Sequence, residues 1–495
     1  DPATGRTVAH CAAASGDPRT LRAVLAFDQD DAMSKSTDSA GRSLLHSAVE
    51  TEAAAVSPSA QRHLVVRRLL RLDGKAGQPL TQDADGRTPV DLAVLSGAGP
   101  ALAVLLGALV TEGKSSEVLS EVRDLEGRGL LHSACLTGRA DTVLQLVAMG
   151  LSPWQPDAHG LPAVCYAAAA KSPDALHALL NAGTVGGLGL LAARVAEDGA
   201  TLAHLAAHAN RPAALRLLAA AGLPVLTAVD FDGWSPLQLA IAAGAWDAAE
   251  ALVDEAASQV EAAIAAEADP TVECPAAARL PDMRTPDGRS LLHLAVTAGN
   301  SGLVIGILSI ARLLSPPASG QSSPPLHPTH VPDPLGWTPL HVALFAGRAN
   351  LAPPASGHQP VSRTADGLTC LHLAVSGCCL GHGSVDAIQL CQEFWPWQAV
   401  TRDNEGAMPI HLASACGCEA AHWRGVFQSV HLTAQGDSPL HLTGSESVAR
   451  LLSSRMLMKD RIQRNLAGRT PSEEARARGR SEALVELLRE LELEA

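Results

Sequence analysis

Aromatic side chains are nearly missing from this sequence: Phe, Trp and Tyr together make up 3% of 495 residues, with a single tyrosine. The chain is nonetheless 47% apolar, so its core must be built from alanine, leucine and valine. That excludes global disorder and disfavours a β-sandwich or barrel, whose strands take β-branched and aromatic residues. Closely packed small helices fit the composition. Positive charge is also scarce, and a formal net charge of −14 argues against a general nucleic-acid binder, because phosphate contacts need a basic surface. No charge-free apolar window reaches the ~18 residues of a membrane-spanning helix, so no transmembrane segment is expected. There is no Asn-x-Ser/Thr acceptor site, and the ten cysteines are scattered, with Cys11, Cys135, Cys165 and Cys370 inside apolar helical patterns. Such cysteines read as buried free thiols in a reducing compartment, not as a disulfide framework. An intracellular, cytoplasmic location is therefore expected. The chain begins at Asp1 instead of Met, so further sequence upstream is expected.

Catalytic signatures are lacking too. There is no Gly-x-Ser-x-Gly elbow, no His-Glu-x-x-His and no kinase signature set. The glycine-rich stretch Gly183 to Gly189 has no Lys-Ser/Thr after it and no strand signal before it, so it reads as a loop and not as a phosphate cradle. Cys378 and Cys379 with His382, and Cys416 and Cys418 with His422, are the tight Cys/His groupings. Neither has the paired spacing of a four-ligand zinc site. No enzyme activity, cofactor or metal is expected.

What the sequence does have is one pattern, used again and again: Asp or a small polar residue, Gly, then Thr/Ser, Pro or Leu, Leu, His, x, Ala. Clear copies run from Asp333 through Gly336, Thr338, Pro339, Leu340 and His341 to Ala343, and from Asp366 through Gly367, Thr369, Leu371 and His372 to Ala374. Others centre on Gly288 with His293 and on Gly41 with His46. Thirteen copies align on Gly5, Gly41, Gly86, Gly127, Gly160, Gly199, Gly233, Gly288, Gly336, Gly367, Gly406, Gly436 and Gly468. This resembles the ankyrin repeat, whose hallmark is Thr-Pro-Leu-His-x-Ala after a Gly-containing turn. The mean spacing of about 39 residues exceeds the ~33 of that family, and the excess sits in a few insertions. The resemblance covers nearly the whole chain.

Each motif residue has a physical job. Gly supplies a positive φ in a tight turn. Thr or Ser caps the first helix, and Pro suits its first position, where no N–H is needed. A second glycine, as at Gly16, Gly138, Gly244, Gly299 and Gly347, ends that helix. A second helix with Leu/Val periodicity follows. His10, His46, His132, His204, His293, His341, His372, His411 and His441 fall at one register. Nine such rings could be read as metal ligands or proton shuttles. A residue repeated once per unit serves the unit, however, and the resemblance implies that this imidazole joins backbone groups of adjacent turns.

The expected fold is all-α: an ankyrin-repeat solenoid of stacked helix–turn–helix units with β-turn fingers, about thirteen units, some degenerate. Residues 1–254 hold units one to seven and 255–284 an Ala/Glu-rich insertion, read as an extra helix and a loop. Unit eight spans 285–311, a Pro/Ser-rich loop 312–332, and units nine to thirteen with a capping helix 333–495. A third insertion lies near 350–362. Departures from the hallmark include Asp91 and Gln238 in place of His, Cys165 in unit five, and a short unit twelve after His441.

Such a stack presents turn tips and first helices along a concave side. The resemblance implies that the residue after the turn glycine points toward partners. In the first four units it is Arg6, Arg42, Arg87 and Arg128; later come Trp234 and Trp337. An arginine ladder on an acidic chain could recruit an acidic segment of a partner, or each arginine could pair with an Asp of its own or the adjacent turn, such as Asp38, Asp85 or Asp124. Phe231, Trp234 and Trp337 are hot-spot candidates in a chain with so few rings, with packing against the neighbouring turn as the alternative. The expected function is a protein–protein interaction scaffold or adaptor. The alternative is the ankyrin portion of a larger channel, kinase or ubiquitin-ligase component whose active domain lies outside this chain.

Overall fold

In the computed structural model, residues 4–495 are described except 29–31, 34, 51–61, 73–77, 112–115, 183–194, 197, 266–279, 281–282, 315–330, 352–361 and 418–431. The described residues form helices and turns. They contain no named strand, and two isolated β-bridges, Pro156 to Pro162 and Arg284 to Ser290, are the extended pairing among them. No described helix is long and apolar enough to cross a membrane.

The chain forms two compact lobes, Asp1–Glu255 and Ala256–Ala495. In the first, helix pairs run from Val8–Ala14 with Pro18–Leu25 to Pro236–Ala243 with Trp246–Ala265. First helices pack on the first helices of the next unit, and several second helices do the same. The second lobe repeats this from Leu291–Ala298 with Ser301–Leu314 to Pro471–Ala477 with Glu482–Leu493. Each lobe is a stack in which a unit hides its apolar flank against its neighbours.

Local chemistry accounts for the helices. Thr88, Ser235, Thr338 and Thr470 accept the N–H of the third helical residue, and a proline follows each at the first helical position. Gly97, Gly138, Gly244, Gly299 and Gly417 end first helices in the left-handed conformation. The cores are aliphatic: Leu44, Leu45, Leu105, Leu130, Leu176 and Leu371 are completely or almost completely buried.

Three features differ from expectation. The Ala/Glu-rich stretch after Asp254 does not begin a separate helix; it continues the second helix of unit seven to Ala265. No glycine or proline interrupts Trp246 to Ala265, and a run of alanines favours propagation. The second helix of unit eight likewise runs on to Leu314. Unit twelve, read as degenerate, has a one-turn first helix, Pro439–Leu442, but a full second helix, Glu446–Ser453. The Gly183 to Gly189 stretch, Cys418, His422 and most of both proline-rich insertions lie outside the described residues.

Candidate functional site

Every aligned turn glycine has a positive φ, from +63° to +82°. At Gly86 the demand is double: φ is +73°, and a Cβ there would meet the Leu125 backbone nitrogen at 3.0 Å. The closeness comes from turn tips bonding in series. Ser39 N–H donates to Thr4, Ala84 to Ala40, Leu125 to Asp85 and Ala158 to Glu126, and the second lobe continues this from Ala365 to Leu466. Within the turns a side-chain oxygen gathers backbone donors, as Asp38 does from Ala40 and Arg42 N–H; in four turns of the second lobe Thr285, Thr364, Thr433 and Asn465 take that place.

Behind this row lie the nine histidines, all at most 2% exposed. Each Nδ1 accepts the backbone N–H three residues earlier, at 3.0–3.3 Å. Seven use Nε2 to reach the carbonyl of the residue after the next turn glycine: His10 to Arg42, His46 to Arg87, His132 to Leu161, His204 to Trp234, His293 to Trp337, His372 to Ala407 and His441 to Arg469, at 2.9–3.2 Å. A carbonyl only accepts, so Nε2 carries the proton and the ring is neutral. Burial accordingly lowers the pKa of His10, His46, His132, His293, His372 and His441, against the raising effect of the carbonyl bond. These rings are rivets between units.

Four of the thirteen units lack the histidine, with Asp91, Cys165, Gln238 and Glu473 in its place. Asp91 Oδ2 accepts Thr88 N–H and its hydroxyl at 2.9 and 2.7 Å, but a carboxylate reaches no further. Burial raises its pKa to about 6, against those two Thr88 bonds. Gln238 Oε1 accepts Ser235 N–H at 2.8 Å, and its buried Nε2 has no hydrogen-bond partner among the described residues.

The four arginines differ in their surroundings. Arg6 and Arg42 both pair with Asp38 and Glu50, and Arg128 pairs with Asp124 and Glu126. Arg87 is half-buried and makes no ion pair among the described residues. Phe231 is 65% exposed, and its ring covers Gly199 of the preceding turn, where a Cβ would approach to 2.8 Å. Trp234 and Trp337 are half-buried, and Trp337 meets Phe345 edge to face at 5.4 Å. Phe231 and Trp234 share one finger; Trp337 belongs to the other lobe.

Several contacts left no trace in the motif. Tyr166, the lone tyrosine, donates to Asp157 at 2.6 Å and stands edge-on to His132 at 5.5 Å. Arg123, Arg284 and Arg464 each donate to the carbonyl of the turn glycine four residues on; that spacing was visible in the sequence as a signal. Buried Gln398 accepts Leu371 N–H at 2.9 Å. No group of three or more His, Cys, Asp or Glu among the described residues could hold a metal ion. Cys165 and Cys370 are pushed up to about 12 by burial, as Cys135 and Cys391 are pushed up well beyond an ordinary thiol, so these thiols are packing groups rather than nucleophiles.

Fingers bonded in series, histidine rivets and aliphatic helix pairs define a stacked helical-repeat protein, built to present a surface. Residues 164–264 match the family model for ankyrin repeats in three copies. The chain thus carries ankyrin repeats. It is 34% identical over 156 residues to human B-cell lymphoma 3 protein, covering 31% of this chain and 33% of that protein. It is 30% identical over 149 residues to the E3 ubiquitin-protein ligase KEG of Arabidopsis thaliana, covering 30% of this chain and 9% of the ligase. Each match thus spans a third or less of the relative's length. Among solved structures, the ankyrin repeat domain of Bcl-3 is 25% identical, with 52% of this chain and 94% of that chain covered and a TM-score of 0.36.

Proposed function

We propose that this chain is an intracellular protein–protein interaction scaffold that holds a partner along its row of fingers and first helices, without chemistry of its own. Ankyrin repeats generally mediate protein–protein interaction. The observation that carries the finer reading is the finger of unit seven: a chain with 3% aromatics places Phe231 at a turn tip, 65% exposed, beside half-buried Trp234. Exposed rings at an interface supply binding energy out of proportion to their number. Arg87 adds a guanidinium without an ion pair among the described residues, suited to an acidic segment of the partner. Trp337 is a further anchor in the second lobe. Free cysteines in the described residues fit a reducing compartment, and the net charge of −14 fits a protein partner better than a nucleic acid.

The test replaces Phe231 with Ala, then Phe231 and Trp234 together, in the full chain. Melting and affinity-captured partners are compared. A partner lost at unchanged melting supports the reading; a partner retained by both variants refutes it.

A second reading, the ankyrin portion of a larger enzyme, channel or ubiquitin-ligase component, is favoured by the ligase match, which makes up 9% of that protein. The coding sequence upstream of Asp1 tests it directly. An active domain in the same reading frame is the expected result, and a start codon immediately upstream would overturn it.

A further inference from the structure

Between the second helix of unit twelve, Glu446–Ser453, and the turn closing on Gly468 lies a strap whose short helix, Met458–Arg461, buries none of its residues. Leu457, Met458 and Ile462 are 56%, 55% and 45% exposed. The corresponding connection ahead of Gly233 behaves in the opposite way, with Leu223, Val225 and Leu226 at 9%, 2% and 2%. The fold thus turns apolar residues of one connection inward and leaves those of the other about half exposed to water.

Charge on this segment is equally distinctive. From Ser447 to Ser472 the chain carries Arg450, Arg455, Lys459, Arg461, Arg464 and Arg469 against the single Asp460, in a chain of net −14. Some of these cations have local work. Arg461 donates to the Ser453 carbonyl at 2.6 Å, closing the helix before it. Arg464 positions the turn through the Gly468 carbonyl and meets Glu473 at 3.2 Å, with both side chains more than half exposed. Arg469 pairs with Glu474. Arg450 and Lys459 are exposed and make no ion pair among the described residues.

Three large apolar side chains close in sequence, with the exposed cations Arg450 and Lys459 beside them in the chain, fit an occupant that covers apolar surface and brings carboxylates. We propose that the strap 455–464, with Arg450, docks an acidic, leucine-bearing segment of a partner protein. Methionine at its centre adapts to varied apolar shapes, and the cations supply steering and register. This surface lies in a connection rather than on the finger of unit seven, so it goes beyond the reading above and stands or falls separately.

The probe is a fluorescein-labelled synthetic peptide repeating Glu-Glu-Leu-Leu, followed by anisotropy with the full chain at low and physiological salt. Binding that weakens with salt is expected. Arg450→Glu with Lys459→Glu should weaken it about tenfold, as two reversed rim charges imply. Leu457→Ser with Met458→Ser should weaken it to a similar degree with the salt dependence retained, and Phe231→Ala should leave it unchanged. All four substituted strap residues are exposed, so far-ultraviolet circular dichroism should match the parent. Absent peptide binding, or binding indifferent to both strap variants, overturns the proposal. So does binding to phosphatidylserine vesicles without binding to the peptide, which would make the strap a membrane contact. A mass that rises with concentration and falls back in the strap variants also overturns it, because a second copy would then cover the patch. None of these failures touches the Phe231 experiment.

Discussion

Replacing Asp91 with Asn should change the stability of this protein in a pH-dependent way, the variant gaining on the parent as pH rises. Asp91 occupies the rivet position of unit three, 3% exposed, and its carboxyl is raised from 3.8 to about 6 by burial. At neutral pH the folded chain therefore carries a buried carboxylate. A pKa raised by that much disfavours the ionised fold by ~3 kcal/mol, at 1.36 kcal/mol per pKa unit. The sign is that of an acid whose folded pKa lies above its unfolded value. Its contribution is complete below 3.8 and is lost as pH rises through about 6. Asn keeps an oxygen for Thr88 N–H and its hydroxyl while removing the charge. Removing the charge favours the variant by up to ~2–3 kcal/mol at pH 8, offset by ~1–3 kcal/mol for a buried amide NH2 that the carboxylate does not carry, so the variant should gain on the parent as pH rises from 4 to 8. Hydrogen-exchange mass spectrometry of Pro89–Ser96 reads local opening, which suits a stack that need not unfold in one step. A stability difference between variant and parent that does not change with pH would refute the argument.

Three further outcomes follow from the same geometry. His372→Ala removes the partners of Thr369 N–H and the Ala407 carbonyl; at ~1–3 kcal/mol for each buried group left unsatisfied, urea unfolding should show a loss of ~2–5 kcal/mol. The riveting histidines have folded pKa values below 6.5, so their neutral form is favoured above 6.5, and stability should decline as pH falls below it; urea midpoints across that range check this, and a flat profile would contradict neutral buried rings. Gly86→Ala, at φ +73° with Leu125 nitrogen 3.0 Å from the new Cβ, should cost ~1–3 kcal/mol, read as a lower melting midpoint.

Much of this molecule was legible in order along the chain. The turn glycines, the prolines at helix starts and the glycines at helix ends set dihedral angles and caps through residues only a few positions apart, and repetition makes such local signals visible. The histidine register was equally plain, because each ring's first contact is with the residue three before it. Arg6 and Arg42 were both legible as candidates, but their shared use of Glu50, 44 and 8 residues away, was not, and neither was the absence of such a pair at Arg87 among the described residues. A carboxylate's partner depends on which unit lies beside it, and motif spacing does not carry that.

The amino-acid order alone determined the repeat, its helices and its fingers, since capping, positive φ and helical periodicity are short-range properties of consecutive residues. Tertiary packing decided the rest: that Asp91 is buried with its pKa raised to about 6, that Leu226 turns inward while Leu457 faces water, and that Phe231 covers a glycine yet stays exposed. Burial and charge pairing belong to surfaces brought together from distant units, and similar residue types meet different neighbours there.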